Sequence, residues 1–356
     1  MKTVFIFGAG ASKDCGAPLV NEFLDKARRF YSLREPGVVE DAEAFEDVFK
    51  AVAELRTVHD KSYLDLDNIE DLFATVETAL LIRKFADRSL PEIENLRASL
   101  IKLIVRTLEL SVKFPAPNNE LAFPPAYDRF LSMLRDTISE APPSDPHSFV
   151  FITFNYDLIF DVLFTFGGFP YDYCLDDSKS SQASPFLKLH GSVTWGFCEK
   201  CHRIIPYNLQ ELKGAHPVFR PPVRFSLGTN LKKIKCYGCV QPLAGPPMLV
   251  PPTWNKTQYQ AQIANVWRRA ALELGQAQNI IVIGYSMPDT DAFFHYLYAL
   301  GSESSVKLRH FLVVNPDRSL EPRFRKLLGP GIQKQFEFLE QDFSSSIPRI
   351  FELLRQ

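Results

Sequence analysis

Five short apolar runs constrain this chain more than any other feature, because each breaks off into glycine or a small polar residue. Val4-Phe5-Ile6-Phe7 leads into Gly8-Ala9-Gly10-Ala11-Ser12, and Phe149-Val150-Phe151-Ile152-Thr153-Phe154 into Asn155-Tyr156-Asp157. Leu187-Lys188-Leu189 ends in His190-Gly191-Ser192. Asn279-Ile280-Ile281-Val282-Ile283 ends in Gly284-Tyr285-Ser286, and Phe311-Leu312-Val313-Val314 in Asn315-Pro316-Asp317. Runs of this length and composition predict buried strands. Helical periodicity separates them, so the pattern predicts an α/β fold with a mostly parallel, doubly wound sheet. Ligands of open α/β sheets bind at the carboxyl ends of the strands, where these polar sequences fall.

The helical segments divide the chain. Residues 18–35 predict a first helix. From 41 to 113 the apolar residues recur at helical spacing, as in Ala44, Phe45, Val48, Phe49, Val52 and Leu55. A helix opening at Asn68 runs through Val76 and Leu80, another spans Ile93 to Leu110, and a fourth covers Ala126 to Ile138. Residues 41–140 therefore predict a helical insertion, with 1–40 and 141–356 forming the sheet domain. Within the latter, 196–248 is a separate module rich in proline, basic residues and cysteine. Helices at 257–274, 290–300, 320–328 and 346–354 and a strand near 335–339 complete the prediction.

Composition excludes some functions. A formal net charge of −2 gives no global attraction for nucleic acid or an anionic membrane. No apolar run reaches membrane-spanning length, and no cationic leader precedes the first strand. The expectation is a cytoplasmic protein without direct nucleic-acid binding.

The glycine loop has the form of a phosphate cradle, in which backbone N–H groups approach an anion at a helix start. The full dinucleotide fingerprint lacks its third glycine, since Lys13 stands there. A tight strand-to-helix turn is the plain alternative. Asn155 and Asp157 suit a sugar or a water, or else they cap the next helix. His190 suits general-base work on a hydroxyl. Cys198-x-x-Cys201 and Cys236-x-x-Cys239 have the spacing of a closed four-cysteine zinc site, structural in kind, with Trp195 and Tyr207 expected to pack beside it. Cys15 and Cys174 read as free thiols.

In this order, the motifs from Gly8 to Asn315 resemble the Sir2 (sirtuin) superfamily, and within it the bacterial SIR2-like NADase branch found in anti-phage systems. The resemblance implies a Rossmann-like NAD-binding domain with a small zinc module, and cleavage of the nicotinamide–ribose bond. By residue, it implies that Gly8, Ala9, Gly10 and Ser12 line the phosphates, with Ser12 and Lys13 beginning a flexible cover. Asn155 and Asp157 would hold the nicotinamide ribose and amide, and His190 would polarise a ribose hydroxyl. Gly284 and Ser286 would meet the phosphate or adenosine side, and Asn315 the adenosine ribose.

The departures separate this chain from the family's protein deacylases. Those carry Gln where Phe154 stands, and an Arg after the glycine loop that 16–23 lacks. Where they pair with an acyl-peptide strand, this chain has Met248-Leu249-Val250-Pro251-Pro252-Thr253-Trp254. The implied activity is hydrolysis of NAD+ to nicotinamide and ADP-ribose in anti-phage defence. NAD-dependent deacylation and non-catalytic NAD or ADP-ribose sensing are the alternatives. The expected partners are NAD, a second copy of the chain, or another protein of the same defence system.

Overall fold

The sheet grows outward from its first strand, Lys2–Phe7 (β1), in which Val4 to Phe7 have no exposed surface. A strand buried on both faces carries no polar alternation, which is why this run is apolar throughout. The computed structural model describes residues 1–56, 64–176, 183–212, 219–231, 234–243, 245–251, 257–288 and 291–356. The further strands are Ser148–Thr153 (β2), Tyr171–Asp172 (β3), Ser184–Lys188 (β4), Trp195–Cys198 (β5), Arg203–Pro206 (β6), Asn279–Ile283 (β7), His310–Val314 (β8) and Phe336–Leu339 (β9).

Seven strands form one parallel sheet in the order β3-β4-β2-β1-β7-β8-β9, and β5 and β6 form an antiparallel hairpin. The chain builds one side of β1 with β2 to β4, then crosses to the other side with β7 to β9. The strand order therefore reverses at β1, as in doubly wound sheets. Register aligns the carboxyl ends: Phe7 lies opposite both Thr153 and Ile283, Thr153 opposite Lys188, and Ile283 opposite Val314. Gly8, Asn155, Gly284 and Asn315 consequently emerge along one edge.

Phenylalanines fill the core. Phe7 stacks on Phe160 with ring centres 4.0 Å apart, and Phe130 meets Phe5 edge-on at 5.3 Å. Phe130 belongs to the helix Pro125–Glu140, inside the 41–140 block, yet this helix packs on β1 and on the last helix, Phe343–Leu354. The helices Ala42–Arg56 and Ile69–Ile82 both pack on Leu90–Ser111. Asn68 caps the second by accepting from the Glu70 and Asp71 amides, at 2.8 and 3.2 Å. Leu90–Ser111 is central, for it is buried continuously from Ser99 to Ser111 apart from Lys102.

Several boundaries differ from the sequence expectation for physical reasons. The helix expected from residue 18 begins at Phe23, because Pro18 and a 3-10 turn over Val20–Glu22 precede it. β3 has two residues, too few to show a period. The β5–β6 hairpin hides in the cysteine-rich stretch, where turn residues dominate. Residues 57–63, 252–256 and 289–290, in segments of the expected helical block, the peptide-strand replacement and the 290–300 helix, lie outside the described residues.

One fold element carries a pH signature. His147, beside β2, pairs its Nε2 with Thr3 Oγ1 at 3.1 Å, and burial pushes its pKa from 6.5 down to about 4. A depressed histidine pKa contributes stability that is complete above the unfolded value and lost as pH falls through the folded one. Urea unfolding should therefore show stability dropping between pH 6.5 and 4, by on the order of 2 kcal/mol from this group. In His147→Gln that part of the slope should be absent.

Candidate functional site

The glycine loop is shaped first by the approach of two strand ends. Gly8 N donates to Ile283 O at 3.0 Å and Gly10 N to Gly284 O at 2.9 Å, so these two N–H groups are already used within the chain. A Cβ on Gly8 would stand 2.4 Å from Tyr285 Cα, and one on Gly10 2.8 Å from Gly284 Cα. Gly284 itself has φ +62°, and its Cβ would lie 2.4 Å from Ala11 N. Only glycine tolerates that combination of backbone angle and contact. Ala9–Cys15 is a 3-10 helix in which Ser12 is fully buried, so Ser12 forms no part of a flexible cover.

Asn155, Ser12 and Asp157 form one hydrogen-bonded group. Asn155 Nδ2 donates to Gly8 O at 2.9 Å and to Ser12 Oγ at 3.0 Å. Both amide protons are thereby used, and Oδ1 remains as the acceptor of that side chain. The Asp157 carboxylate interacts with Ser12 and accepts from Ile159 N at 2.9 Å, in the turn just before the helix Ile159–Gly167. Burial raises the Asp157 pKa, and the nearby Lys188 opposes that rise.

Lys188 is a buried cation beside this group that motif reasoning did not single out. It is 1% exposed, and its ammonium pairs with Asp161 Oδ2 at 2.8 Å while donating to Asp157 O. Tyr173 O–H donates to the other oxygen of Asp161. The available signal was a lysine inside an apolar strand run, Leu187-Lys188-Leu189.

A narrow cleft opens over this edge, between the loop and the helical block. Ala9, Asn155 and Asp157 line it from the sheet side, and Phe23, Ile69 and Phe73 from the helices. An apolar pocket with a few convergent polar groups suits a small-molecule ligand. The cleft brings together Ala9, Asn155 and Asp157 from the expected set. His190, Gly284, Ser286 and Asn315 are not among its lining residues.

His190 lies one layer away, behind Phe154 and Tyr156, whose rings stand 5.2 and 6.0 Å from its own. Its Nε2 pairs with Asp291 Oδ1 at 2.9 Å, a partner not foreseen from the sequence. Asn315 ties two strand ends together, donating to Tyr285 O at 3.3 Å and accepting from Asp317 N at 3.0 Å. Ser286 is exposed, and its carbonyl accepts from Arg323 at 3.4 Å.

The cysteine pairs converge. The sulfurs of Cys198, Cys201, Cys236 and Cys239 all lie within 4.8 Å of one another, and Cys198 and Cys239 are 3.5 Å apart. Four thiolates about 2.3 Å from a zinc ion would sit about 3.8 Å from each other, so the set fits tetrahedral zinc. The backbone N–H groups of Cys239 and Gly238 draw the Cys236 thiol down to about 6, toward the thiolate a metal requires. Ile205, Ile234 and Leu243 pack this cluster, whereas Trp195 and Tyr207 belong to the main core. Cys15 is buried, which pushes its pKa to about 12, and Cys174 is likewise raised by burial to about 11, so neither thiol is reactive. Metal analysis should find about one zinc per chain, and Cys236→Ser should lose most of it. The same substitution should lower the thermal midpoint by several degrees.

Among the described residues, no helix is long and apolar enough to cross a membrane. No protein-family profile matches the sequence, and no curated protein matches it. The chain is similar to solved Sir2 structures. One is Sir2 in complex with the inhibitor EX-527, 2′-O-acetyl-ADP-ribose and deacetylated p53 peptide, at 14% identity and TM-score 0.40, covering 99% of this chain and 93% of that one. A second is Sir2 with p53 peptide and NAD+, at 13% identity and TM-score 0.38, covering 99% and 92%. A third is Sir2Af2 bound to a myristoylated histone peptide, at 13% identity and TM-score 0.36, covering 99% and 91%.

Proposed function

We propose that this chain is a Sir2-like NAD+ glycohydrolase, which cleaves the nicotinamide–ribose bond with water as the nucleophile. The observation that carries hydrolysis over deacylation is the backbone of 248–251. Met248 N donates to Trp195 O at 2.7 Å, Leu249 N to Pro247 O at 3.0 Å, and Val250 N to His190 O at 2.8 Å. Pro251 and Pro252 have no N–H to give. A segment whose donors are all engaged cannot take up an acyl peptide by strand addition, which depends on main-chain hydrogen bonds.

Cleavage builds positive charge on the ribose as nicotinamide leaves. Asn155 Oδ1 is the acceptor left over in the cleft, so it can hold one proton of a water and turn the lone pair toward the anomeric carbon. Gly8 O and Ser12 Oγ fix the amide so that this orientation persists. The apolar helical wall limits competing water. His190, assigned to the ribose hydroxyls, lies behind Phe154 and Tyr156, so those rings would have to move for it to reach a ribose in the cleft. Cys198, Cys201, Cys236 and Cys239 hold a structural zinc that takes no part in the chemistry. The setting we assign is cytoplasmic anti-phage defence, with a partner protein or self-association as the trigger.

The test is incubation of purified protein with NAD+, with and without acylated peptide, repeated with the products of neighbouring genes co-expressed. Chromatography should find nicotinamide and ADP-ribose in equal amounts without peptide. Nicotinamide release only with acylated peptide would establish deacylation instead. Tight nucleotide binding without turnover in every arm would establish a sensor.

A further inference from the structure

The loop expected to cradle phosphate has few donors left to offer one. Gly8 N, Gly10 N and Ala11 N donate to Ile283 O, Gly284 O and Gly8 O, at 3.0, 2.9 and 3.0 Å. Positive charge gathers just beyond that loop. We propose that Lys13, Lys26 and Lys113, grouped around residues 16–19 at the rim of the cleft, form an anion subsite that takes the diphosphate of a dinucleotide. The diphosphate assignment rests on the hydrolase reading, whereas the anion subsite does not.

Backbone and side-chain contacts place the three residues. Ala17 and Pro18 line the cleft, so the residues on either side of them are its rim. Lys26 Nζ donates to Gly16 O at 2.8 Å, which puts an ammonium one residue from the lining. Lys13 Nζ stands 4.0 Å from Glu22 Oε1, and Glu22 Oε2 accepts from Leu19 N at 3.2 Å, next to Pro18. Lys113 joins through its backbone, where its N–H donates to Cys15 O at 2.9 Å. The rim itself is held firmly. Gly16 has φ +88°, and a Cβ on it would stand 2.6 Å from Ser111 O, at the end of the helix Leu90–Ser111. Lys13 and Lys113 are exposed and Lys26 is half-buried, so the group is open to a ligand.

Like charges held together favour a counter-charge. Burial holds the Lys26 ammonium below its usual pKa; Glu22 opposes that shift, and the charges of Lys113 and Lys13 add to it. Of the nearby carboxylates, Asp25 pairs with Arg28 at 3.1 Å, and Asp14 acts on Cys15 and Tyr127. Glu22 is the carboxylate that acts on Lys26, so three cations meet one anion there. An ammonium has three donors, and Gly16 O accepts one of those on Lys26. Lysine meets phosphate as a point charge with rotatable donors, which suits a diphosphate at a rim. The cleft complements this arrangement, for among the described residues its lining holds no lysine or arginine. Its apolar walls suit a ring and a sugar, and the rim suits the phosphates.

Calorimetry of the full chain with ADP-ribose, which has no nicotinamide bond to cleave, measures the subsite without turnover. Lys26→Gln should weaken ADP-ribose binding by about three- to tenfold, and the triple variant Lys13→Gln, Lys26→Gln, Lys113→Gln by about thirtyfold or more. Lys26→Arg, which keeps the charge, should stay within about threefold. Raising sodium chloride from about 50 to about 300 mM should weaken the wild type by about fivefold or more and the triple variant by less than about twofold. The Lys13→Gln, Lys113→Gln pair decides the question if substitution of the half-buried Lys26 impairs folding. In the kinetic arm, the triple variant should raise KM for NAD+ by about the factor lost in ADP-ribose binding. Its KM for nicotinamide riboside, which lacks the diphosphate, should move by less than about twofold. ADP-ribose held through the lysines without any nicotinamide release would keep the subsite and remove the hydrolase. An equal rise in both KM values would overturn the diphosphate assignment. A triple variant that binds ADP-ribose as the wild type does, or wild-type binding indifferent to salt, overturns the subsite whether or not NAD+ is cleaved.

Discussion

Asn155→Ala should lower NAD+ cleavage by about a hundredfold or more while leaving the protein folded. The side chain lines the sheet edge of the cleft, and both of its amide protons are engaged, which leaves Oδ1 as its acceptor. Removing a preorganised dipole from a water-poor site forfeits a hundred- to a thousandfold in rate, roughly 3–4 kcal/mol of transition-state stabilisation. The structural loss is smaller. Alanine deletes the bonds to Gly8 O and Ser12 Oγ, at about 1 kcal/mol each, and Asp157 remains beside the Ser12 hydroxyl. Nicotinamide release should therefore collapse while the thermal midpoint falls by a few degrees. NAD+ affinity, measured by calorimetry, should change less than tenfold. A variant that keeps more than half of the wild-type turnover would remove Asn155 from the mechanism.

The second large effect concerns stability. Lys188→Met should destabilise the protein by about 3–5 kcal/mol, because it removes the cationic partner of the Asp161 carboxyl in a site with no exposed surface. Lys188→Met combined with Asp161→Leu should recover most of that loss, since replacing both members of a buried pair is far cheaper than removing one. Urea midpoints of the two single variants and the double variant measure the coupling. The double variant should nevertheless cleave NAD+ more slowly, because Lys188 also holds the Asp157 carbonyl. Recovery of stability without recovery of turnover would separate the two roles of this lysine. Additive single effects would show that the pair is not coupled.

The sheet was legible in the sequence because each of its long strands is a local signal. β7 matches its expected span residue for residue, and β1, β2, β4 and β8 match to within a few residues. Burial on both faces demands a continuous apolar run, and the following glycine or asparagine marks its end. The cysteine cluster was legible for a similar reason, since two short knuckles carry their own spacing. The packing around that cluster was less so. Ile205, Ile234 and Leu243 reach it from separate segments, whereas the neighbouring Trp195 turns into the main core against Tyr173.

The site was legible only in its membership. Gly8, Gly10 and Gly284 suggested a cradle, yet their first task is to let the ends of β1 and β7 touch. Asn155 and Asp157 are expected together and do line one cleft, but Ser12, expected to line the phosphates and to begin a flexible cover, instead lies buried and links them. By itself the sequence determined which segments are strands and which polar residues stand at their ends. The tertiary structure decided what those residues face: Asp291 against His190, Asp161 against Lys188, Phe154 between the cleft and the histidine. Strand periodicity is a property of neighbours along the chain, whereas the partner of a buried charge is set by which distant elements pack around it.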